Sequence, residues 1–343
     1  MKEGPLLSIK DNRGFEAKIL ADSITKEGHR LTTIEATFPR LILSEFNTHR
    51  DFSRNSASSR AIPFWKQLQK IITSGYIPSK LGINQAGMQA KVFLYGEKLA
   101  EAQAVIKLAK DRAIVSTVEM ILGVDRVKNV LGSSYGKILV EGFSDEEYAL
   151  ILSAVKDFEN VVKESKKDGK LIPEDYINLH KQHVNRYLEP YMWHTVVVTA
   201  SEWGNWDALR ISEMAQPEID AIARMITYLR AQHTPTLLQE GEWHLPLIQE
   251  DELHLVKDNV ELWKKVSVGR CARVSYETHD GKRDTSKDVS LAEILLNDGH
   301  MSPWEHVATP QAEGNWDPKL GGNFKGWVQL RKTIPGEADF SSK

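Results

Sequence analysis

The stretch His49-Arg50-Asp51-Phe52-Ser53-Arg54-Asn55-Ser56-Ala57-Ser58-Ser59-Arg60 packs three arginines, four serine hydroxyls and one amide into twelve residues. Guanidinium forks and short hydroxyl donors are the equipment for gripping a phosphate or the edge of a nucleotide. Composition alone leaves a solvated serine-rich loop as an equal reading. A second group lies in the middle of the chain, where Asn205-Trp206-Asp207-Ala208-Leu209-Arg210 is followed by Ala215-Gln216-Pro217-Glu218-Ile219, with Arg186 upstream, four residues before Pro190. A third lies near the C-terminal end, where Ala272-Arg273-Val274-Ser275-Tyr276 precedes Gly299-His300-Met301-Ser302-Pro303-Trp304-Glu305-His306.

The spacing His-Arg-x-x-Ser-x-Asn-x-x-Ser-x-Arg is similar to the signature of flavin-dependent thymidylate synthases. It matches six of seven fixed positions, at His49, Arg50, Ser53, Asn55, Ser58 and Arg60. Thr48 stands where that signature begins with arginine. The second group resembles the family's Asn/His-Phe-Leu-x-Leu-Arg and Ala-Gln-x-Glu-Ile pattern, and the third its Ala-Arg-Val-Ser and Gly-His-x-Ser-Pro-Phe-Glu-His. In the family the third group precedes the arginine-rich signature; here it follows everything else. The chain therefore resembles a permuted or partly duplicated relative. A short echo, Gly28-His29 with Glu35-Ala36-Thr37 against Gly299-His300 with Glu305 and Ala308-Thr309, fits that idea. The stretch 62–175 has no counterpart.

The resemblance implies reductive methylation of dUMP to dTMP, with methylenetetrahydrofolate as carbon donor and FAD, reduced by NADPH, as hydride carrier. It implies that Glu45, Ser58, Ser59, Arg60, Arg186 and Arg210 bind the nucleotide, with Arg210 polarising the uracil ring as the catalytic residue. It implies that His49, Arg50, Asn55, Ser56, Asn205, Ser275, His300 and Ser302 bind FAD. It also implies a homotetramer. A phosphate dianion calls for converging arginines, and a fixed cation beside developing negative charge lowers a barrier. Two departures keep alternatives open. Glu45 replaces a glutamine that faces dUMP in many members, and Ser56 replaces a glutamate that contacts both ligands. Glutamate accepts from an exocyclic amine, whereas glutamine serves either pattern. Methylation or hydroxymethylation of another pyrimidine nucleotide, or a nucleotide-binding relative without catalysis, therefore stand beside dUMP methylation.

Other candidates carry less. His180 and His183 lie three apart on an expected helix with no third ligand at a recognised spacing, which favours a surface pair over a metal site. Ser53 and Ser58 could act as nucleophiles with His49, but no carboxylate is placed to orient the base. Cys271, in Arg270-Cys271-Ala272, reads as a buried structural thiol.

The whole chain sets the bounds. Its 343 residues carry 44 Lys plus Arg against 47 Asp plus Glu, a net charge of −3. This near-neutral balance argues against a broad nucleic-acid surface. The single cysteine excludes an intrachain disulfide and a cysteine zinc cluster. No stretch approaches the roughly 20 apolar residues of a spanning helix, and a cytoplasmic protein is expected.

The elements that must position these groups suggest an α+β protein, with a helical middle and a mixed sheet built from N- and C-terminal segments. The motifs divide it into an N-terminal sheet segment (1–75), a helical segment with nucleotide-binding arginines (76–240) and a C-terminal segment with the second flavin-site-like motif (241–343). Residues 17–40 read as strands from their β-branched and apolar content. Helices are expected over 85–120, from the capping box Ser144/Glu147 to Lys166, from Pro173 to Glu189, across 191–209, and from Pro217 through Leu229. Residues 241–255 read as a surface connection, Arg273–Tyr276 as strand-like, 280–287 as a charged loop, 291–296 as a short helix and 315–322 as a turn-rich loop.

Overall fold

The computed structural model describes residues 7–87, 89–275, 283–312, 314 and 316–339. It is an α+β protein. Contacts divide it into two compact units. The first takes the chain up to Phe38, Ile42–Ala57 and everything from His194 onward; the second takes Pro39–Leu41 and Ser58–Trp193. This partition runs differently from the three segments drawn on the motifs.

The chain opens with β1 (Ser8–Lys10), β2 (Glu16–Ile24) and β3 (Arg30–Pro39), then a 3-10 turn, the short α1 (Leu43–Phe46) and β4 (Ser53–Ser56). The expected strands over 17–40 are the hairpin β2–β3, paired antiparallel, with a bulge between Ile19 and Ala21. The serine-rich stretch is not all loop. Ser53–Ser56 pairs with Val196–Thr199 of β5 (Trp193–Ala200), so its side chains alternate between buried and half-buried positions.

The second unit follows, with α2 (Phe64–Ser74), α3 (Gly96–Leu122), α4 (Val124–Leu131), α5 (Ser134–Glu141), α6 (Asp145–Asp168) and α7 (Lys181–Val184), then a 3-10 turn over Asn185–Tyr191. One apolar core joins Leu68, Ile114, Val118, Ile151, Val155 and Leu188. The capping box is present: Ser144 accepts from the Glu147 backbone N–H and the Glu147 carboxylate accepts from that of Ser144. Gly169 ends α6 at φ 65°, a conformation that favours glycine. Two expectations fail. The long helix begins at Gly96 rather than at 85, and no helix opens at Pro173. Instead, Asn178 and Leu179 donate backbone hydrogen bonds to the carbonyls of Ile121 and Met120 at the end of α3. The segment spends its backbone groups on its neighbour rather than on a helix of its own.

The first unit resumes with β5, α8 (Gly204–Arg210), α9 (Pro217–Gln232) and β6 (Thr236–Leu237). The run Trp193–Ala200 was expected to be helical. It is a strand because Thr195-Val196-Val197-Val198-Thr199 is β-branched throughout and buried on both faces. The sheet order is β1-β2-β3-β5-β4, with β6 parallel to the end of β2. α9 begins with Pro217 in its first turn and buries Ile219, Ile222, Ile226 and Leu229, as expected from their spacing.

The C-terminal part adds α10 (Leu253–Asp258), α11 (Val260–Ser275), α12 (Thr285–Asn297), β7 (Ala308–Pro310), α13 (Pro318–Gly321) and β8 (Trp327–Gln329). Its strands β7 and β8 pair with each other and do not join the main sheet, contrary to expectation. Arg273–Ser275 closes α11 rather than forming a strand; Tyr276 lies outside the described residues. The expected short helix at 291–296 is the second half of α12, which already starts inside the expected charged loop. Part of the expected turn-rich loop is the single turn of α13. Gly28 lies in the β2–β3 hairpin turn whereas Gly299 follows α12, so the sequence echo falls on different kinds of element.

α9 packs on β2. Val197, Leu20 and Leu247 form a buried cluster with Cys271 and Val274 of α11. α11 and α12 meet where Gly269 faces Asp288. A Cβ on Gly269 would lie 2.1 Å from the Asp288 carbonyl oxygen. Beside it, Arg270 donates from Nη1 and Nη2 to both Glu252 oxygens (2.6 and 2.7 Å), from Nε to Asp288 (3.1 Å) and from Nη1 to the Leu247 carbonyl (2.9 Å). Arg273 pairs with the other Asp288 oxygen at 2.7 Å.

The segment 241–255 is not a surface connection. His244 is buried against β7 and exchanges backbone hydrogen bonds with Ala308. Its Nδ1 lies 2.8 Å from Ser23 Oγ and its Nε2 2.8 Å from Thr33 Oγ1. Thr33 then meets Thr199 Oγ1 at 2.7 Å, and Thr199 meets His306 Nδ1 at 2.8 Å. Burial pulls His244 down to about 4 and His306 down to about 3. Both rings are therefore neutral when folded and charge only on unfolding below about pH 6.5. Between that pH and the folded values the unfolded chain binds more protons, so stability falls as pH falls. Each ring is expected to cost about 2 kcal/mol of stability by about pH 5. Urea unfolding at pH 7 and pH 5 checks this, and equal midpoints and slopes would refute it.

Candidate functional site

In the first unit, α1 and α8 bring four of the expected site residues together. Arg210, the last residue of α8, donates from Nε to His49 Nε2 (2.9 Å). Its Nη2 donates to the Glu45 carbonyl (3.2 Å) and to Thr48 Oγ1 (2.9 Å). Guanidinium N–H groups only donate, so His49 Nε2 is the bare nitrogen and the ring proton sits on Nδ1. Asn205, in the first turn of α8, also hydrogen-bonds the His49 side chain. Burial and then the Arg210 charge hold His49 below its usual range, so the imidazole is a neutral acceptor. The ring is fixed by aromatic neighbours: Phe52 stacks on it at 5.5 Å and Trp206 meets it edge-on at 4.9 Å. Phe46 completes this wall against Phe52 and Trp206.

Arg210 is thus held by three neutral acceptors. No carboxylate among the described residues lies within ion-pair distance of it. The Glu45 carboxylate instead accepts from Ser44 Oγ at 2.8 Å. Of the five guanidinium N–H groups, one on Nε and two on Nη2 are spent. The two on Nη1 remain for a ligand, on a half-buried side chain. A rigid cation with no protein anion and one unspent nitrogen is suited to an anionic or carbonyl oxygen.

A second junction joins residues 247 apart in the chain. The Asn55 side chain on β4 donates to the Cys271 carbonyl of α11 (2.9 Å) and accepts from Ser302 Oγ (3.2 Å). The 3-10 turn Ser302–Glu305 packs on β4. Asn55 and Ser302 therefore satisfy each other and the backbone. Ser53 is likewise buried, donating to Asn323 Oδ1 at 2.9 Å. Arg50, three residues before β4, and His300, two before that turn, are exposed. Ser56 is half-buried at the end of β4. Ser275 ends α11, and its side chain lies outside the described residues.

The second unit holds Ser58, Ser59, Arg60 and Arg186. The Asn185 amide donates to the carbonyls of Ser59 (2.7 Å) and Ile62 (2.9 Å), pinning the turn after Ser58 to the 3-10 turn that carries Arg186. Ser59 is buried and its hydroxyl donates to Glu189 at 2.7 Å, where Arg40 also pairs. Ser58, Arg60 and Arg186 are exposed.

Sequence reasoning noted Thr48 only as a departure from a pattern and did not assign it a partner. Trp206 enters that reasoning only as part of the second motif; its packing against Phe46 and Phe52, residues far from it in the chain, carries no local signal. Burial pushes the Cys271 thiol far up, the opposite of an activated nucleophile. Among the described residues, no group of three His, Cys, Asp or Glu is placed to hold a metal ion, and no helix is long and apolar enough to cross a membrane. His180 instead caps its own short helix, its Nδ1 accepting from the Gln182 N–H.

Set against known proteins, the chain matches no family model, no curated protein and no solved structure.

Proposed function

We propose that this chain is a flavin-dependent methyltransferase acting on dUMP, related to the flavin-dependent thymidylate synthases by the three motif matches. The observation that carries the reading is Arg210, a cation fixed by His49, Thr48 and the Glu45 carbonyl with no carboxylate partner and with Nη1 unspent. Such a group stabilises negative charge developing on a pyrimidine carbonyl without reorganising. Neutral His49 helps because it holds the guanidinium without cancelling its charge.

The donor set also bears on the cofactor. Exposed Arg50 and His300, with Asn205, suit the diphosphate and polar rim of FAD. Asn55 and Ser302 fit less directly, since each is engaged by the other, and their part is to hold β4 against α11 and the 3-10 turn. Bound FAD would supply hydride transfer; the protein's part is to bind and orient it. NADPH and methylenetetrahydrofolate as co-substrates, a homotetramer, the family's fold and a cytoplasmic location belong to the same proposal.

The test is NADPH oxidation by the FAD-loaded protein with each pyrimidine nucleotide in turn, alongside release of the C5 proton. Stimulation and proton release with dUMP but not dCMP are expected. Response to a different pyrimidine moves the assignment to that nucleotide, where the Glu45 carboxylate can accept from an exocyclic amine. A colourless protein that binds nucleotide without turnover refutes the enzyme reading.

A further inference from the structure

We propose that Thr48 is the positioning residue of Arg210, selecting Nη1 as the nitrogen offered to the ligand. This rests on the reading above only for the identity of the ligand. Thr48 stands in the turn that closes α1, where its own N–H donates to the Glu45 carbonyl at 3.2 Å. Its hydroxyl works in both directions. It donates to that same carbonyl at 2.7 Å and accepts from Arg210 Nη2 at 2.9 Å. The Glu45 carbonyl, in turn, accepts from Nη2 at 3.2 Å. Hydroxyl, carbonyl and Nη2 thus close a small ring of hydrogen bonds at one corner of the guanidinium, while His49 fixes the Nε edge.

The consequence is directional. A guanidinium held only at Nε can swing about its long side chain, and any of its forks can face a ligand. Held at Nε and twice at Nη2, it can present only Nη1. The ligand atom is then an oxygen acceptor, a carbonyl or a phosphate oxygen, rather than a carboxylate gripped by both terminal nitrogens. Only a hydroxyl can donate and accept at this position, so serine keeps the ring and valine breaks it. Thr48 is exposed, so the change leaves the core intact.

His49 reports the geometry without any ligand. The charged groups acting on it are Arg210 and Arg54, which lower its pKa, and Asp51, which raises it; the Asn205 hydrogen bond raises it as well. When Arg210 loosens, the His49 titration midpoint moves up.

The experiment compares wild type, Thr48→Val and Thr48→Ser by NMR titration of labelled histidine and by dUMP binding. Thr48→Val is expected to move the His49 midpoint upward and to weaken dUMP about tenfold, the loss of one hydrogen bond to a charged group. Thr48→Ser is expected to restore both to near wild type. A His49 midpoint unchanged in Thr48→Val overturns the proposal, as does failure of serine to restore it. If the midpoint shifts and serine restores it while wild type binds no dUMP, the positioning role stands and the substrate reading falls.

Discussion

Arg210→Ala is expected to lower turnover of dUMP by about 10²–10³-fold or more, the range for removing one preorganised charged donor, while much of the flavin stays bound. The separation follows from the geometry. Arg210 holds Glu45, Thr48 and His49 at one corner of the first unit. Two of the three proposed flavin donors, Arg50 and His300, flank the β4 junction, which Asn55 and Ser302 hold together without it; the third, Asn205, stands beside His49 and is the one exposed to the change. The His49 ring keeps its aromatic wall after the change, so the local fold survives. C5-proton release and the visible flavin spectrum of the purified variant check the two halves. Near-normal turnover would sink the assignment of Arg210, whatever the flavin does.

The second large effect concerns stability. Arg270→Met leaves Glu252 and Asp288, both buried, without the guanidinium that joins them. The two carboxylates respond differently to their surroundings. At Glu252 burial raises the pKa, but the Arg270 fork and the Gln249 N–H outweigh it and hold it low. At Asp288 burial wins over both arginines and raises it. Breaking a buried pair by removing one partner typically costs about 3–5 kcal/mol, and that loss is expected in the urea transition of the first unit. The Leu247 carbonyl loses the nearer of its two donors as well, keeping only Gln249 Nε2 at 3.4 Å, on a residue held at φ 66°, where a leucine is strained. Lysine cannot replace the fork, so Arg270→Lys is expected to recover little. A loss below about 1 kcal/mol for Arg270→Met would show that the network is not what joins α11, α12 and the segment before α10.

Much of the fold was legible where the signal is local. The β2–β3 hairpin follows from β-branched content, α6 from its capping box and closing glycine, and α9 from Pro217 and four isoleucine and leucine positions on one face. What was not legible depends on distant partners. Trp193–Ala200 is an apolar run without period, and only its place between β3 and β4 makes it a strand. His244 sits among Glu240, Glu242 and Trp243, which reads as surface; its burial comes from Ser23, Thr33 and Ala308. At the site, the motif resemblance marked His49 for FAD and Arg210 for the nucleotide, and the hydrogen bond between them lay outside it. The hydroxyl that ties Arg210 to the Glu45 carbonyl, Thr48, carries no signal of its own, because a threonine after a short helix is ordinary.

The buried chain from Ser23 to His306 has a consequence that follows from counting protons. Three links run from His244 Nε2 through Thr33 and Thr199 to His306 Nδ1, and each needs one hydrogen. The two hydroxyls supply two. The third must come from one ring or the other, never both and never neither. If His244 carries its proton on Nε2, then His306 Nδ1 is bare and its proton is on Nε2; if His306 carries it on Nδ1, then so does His244. The two neutral imidazoles therefore always share one tautomer, and a proton moved at one ring is answered at the other through the neighbouring strands β3 and β5.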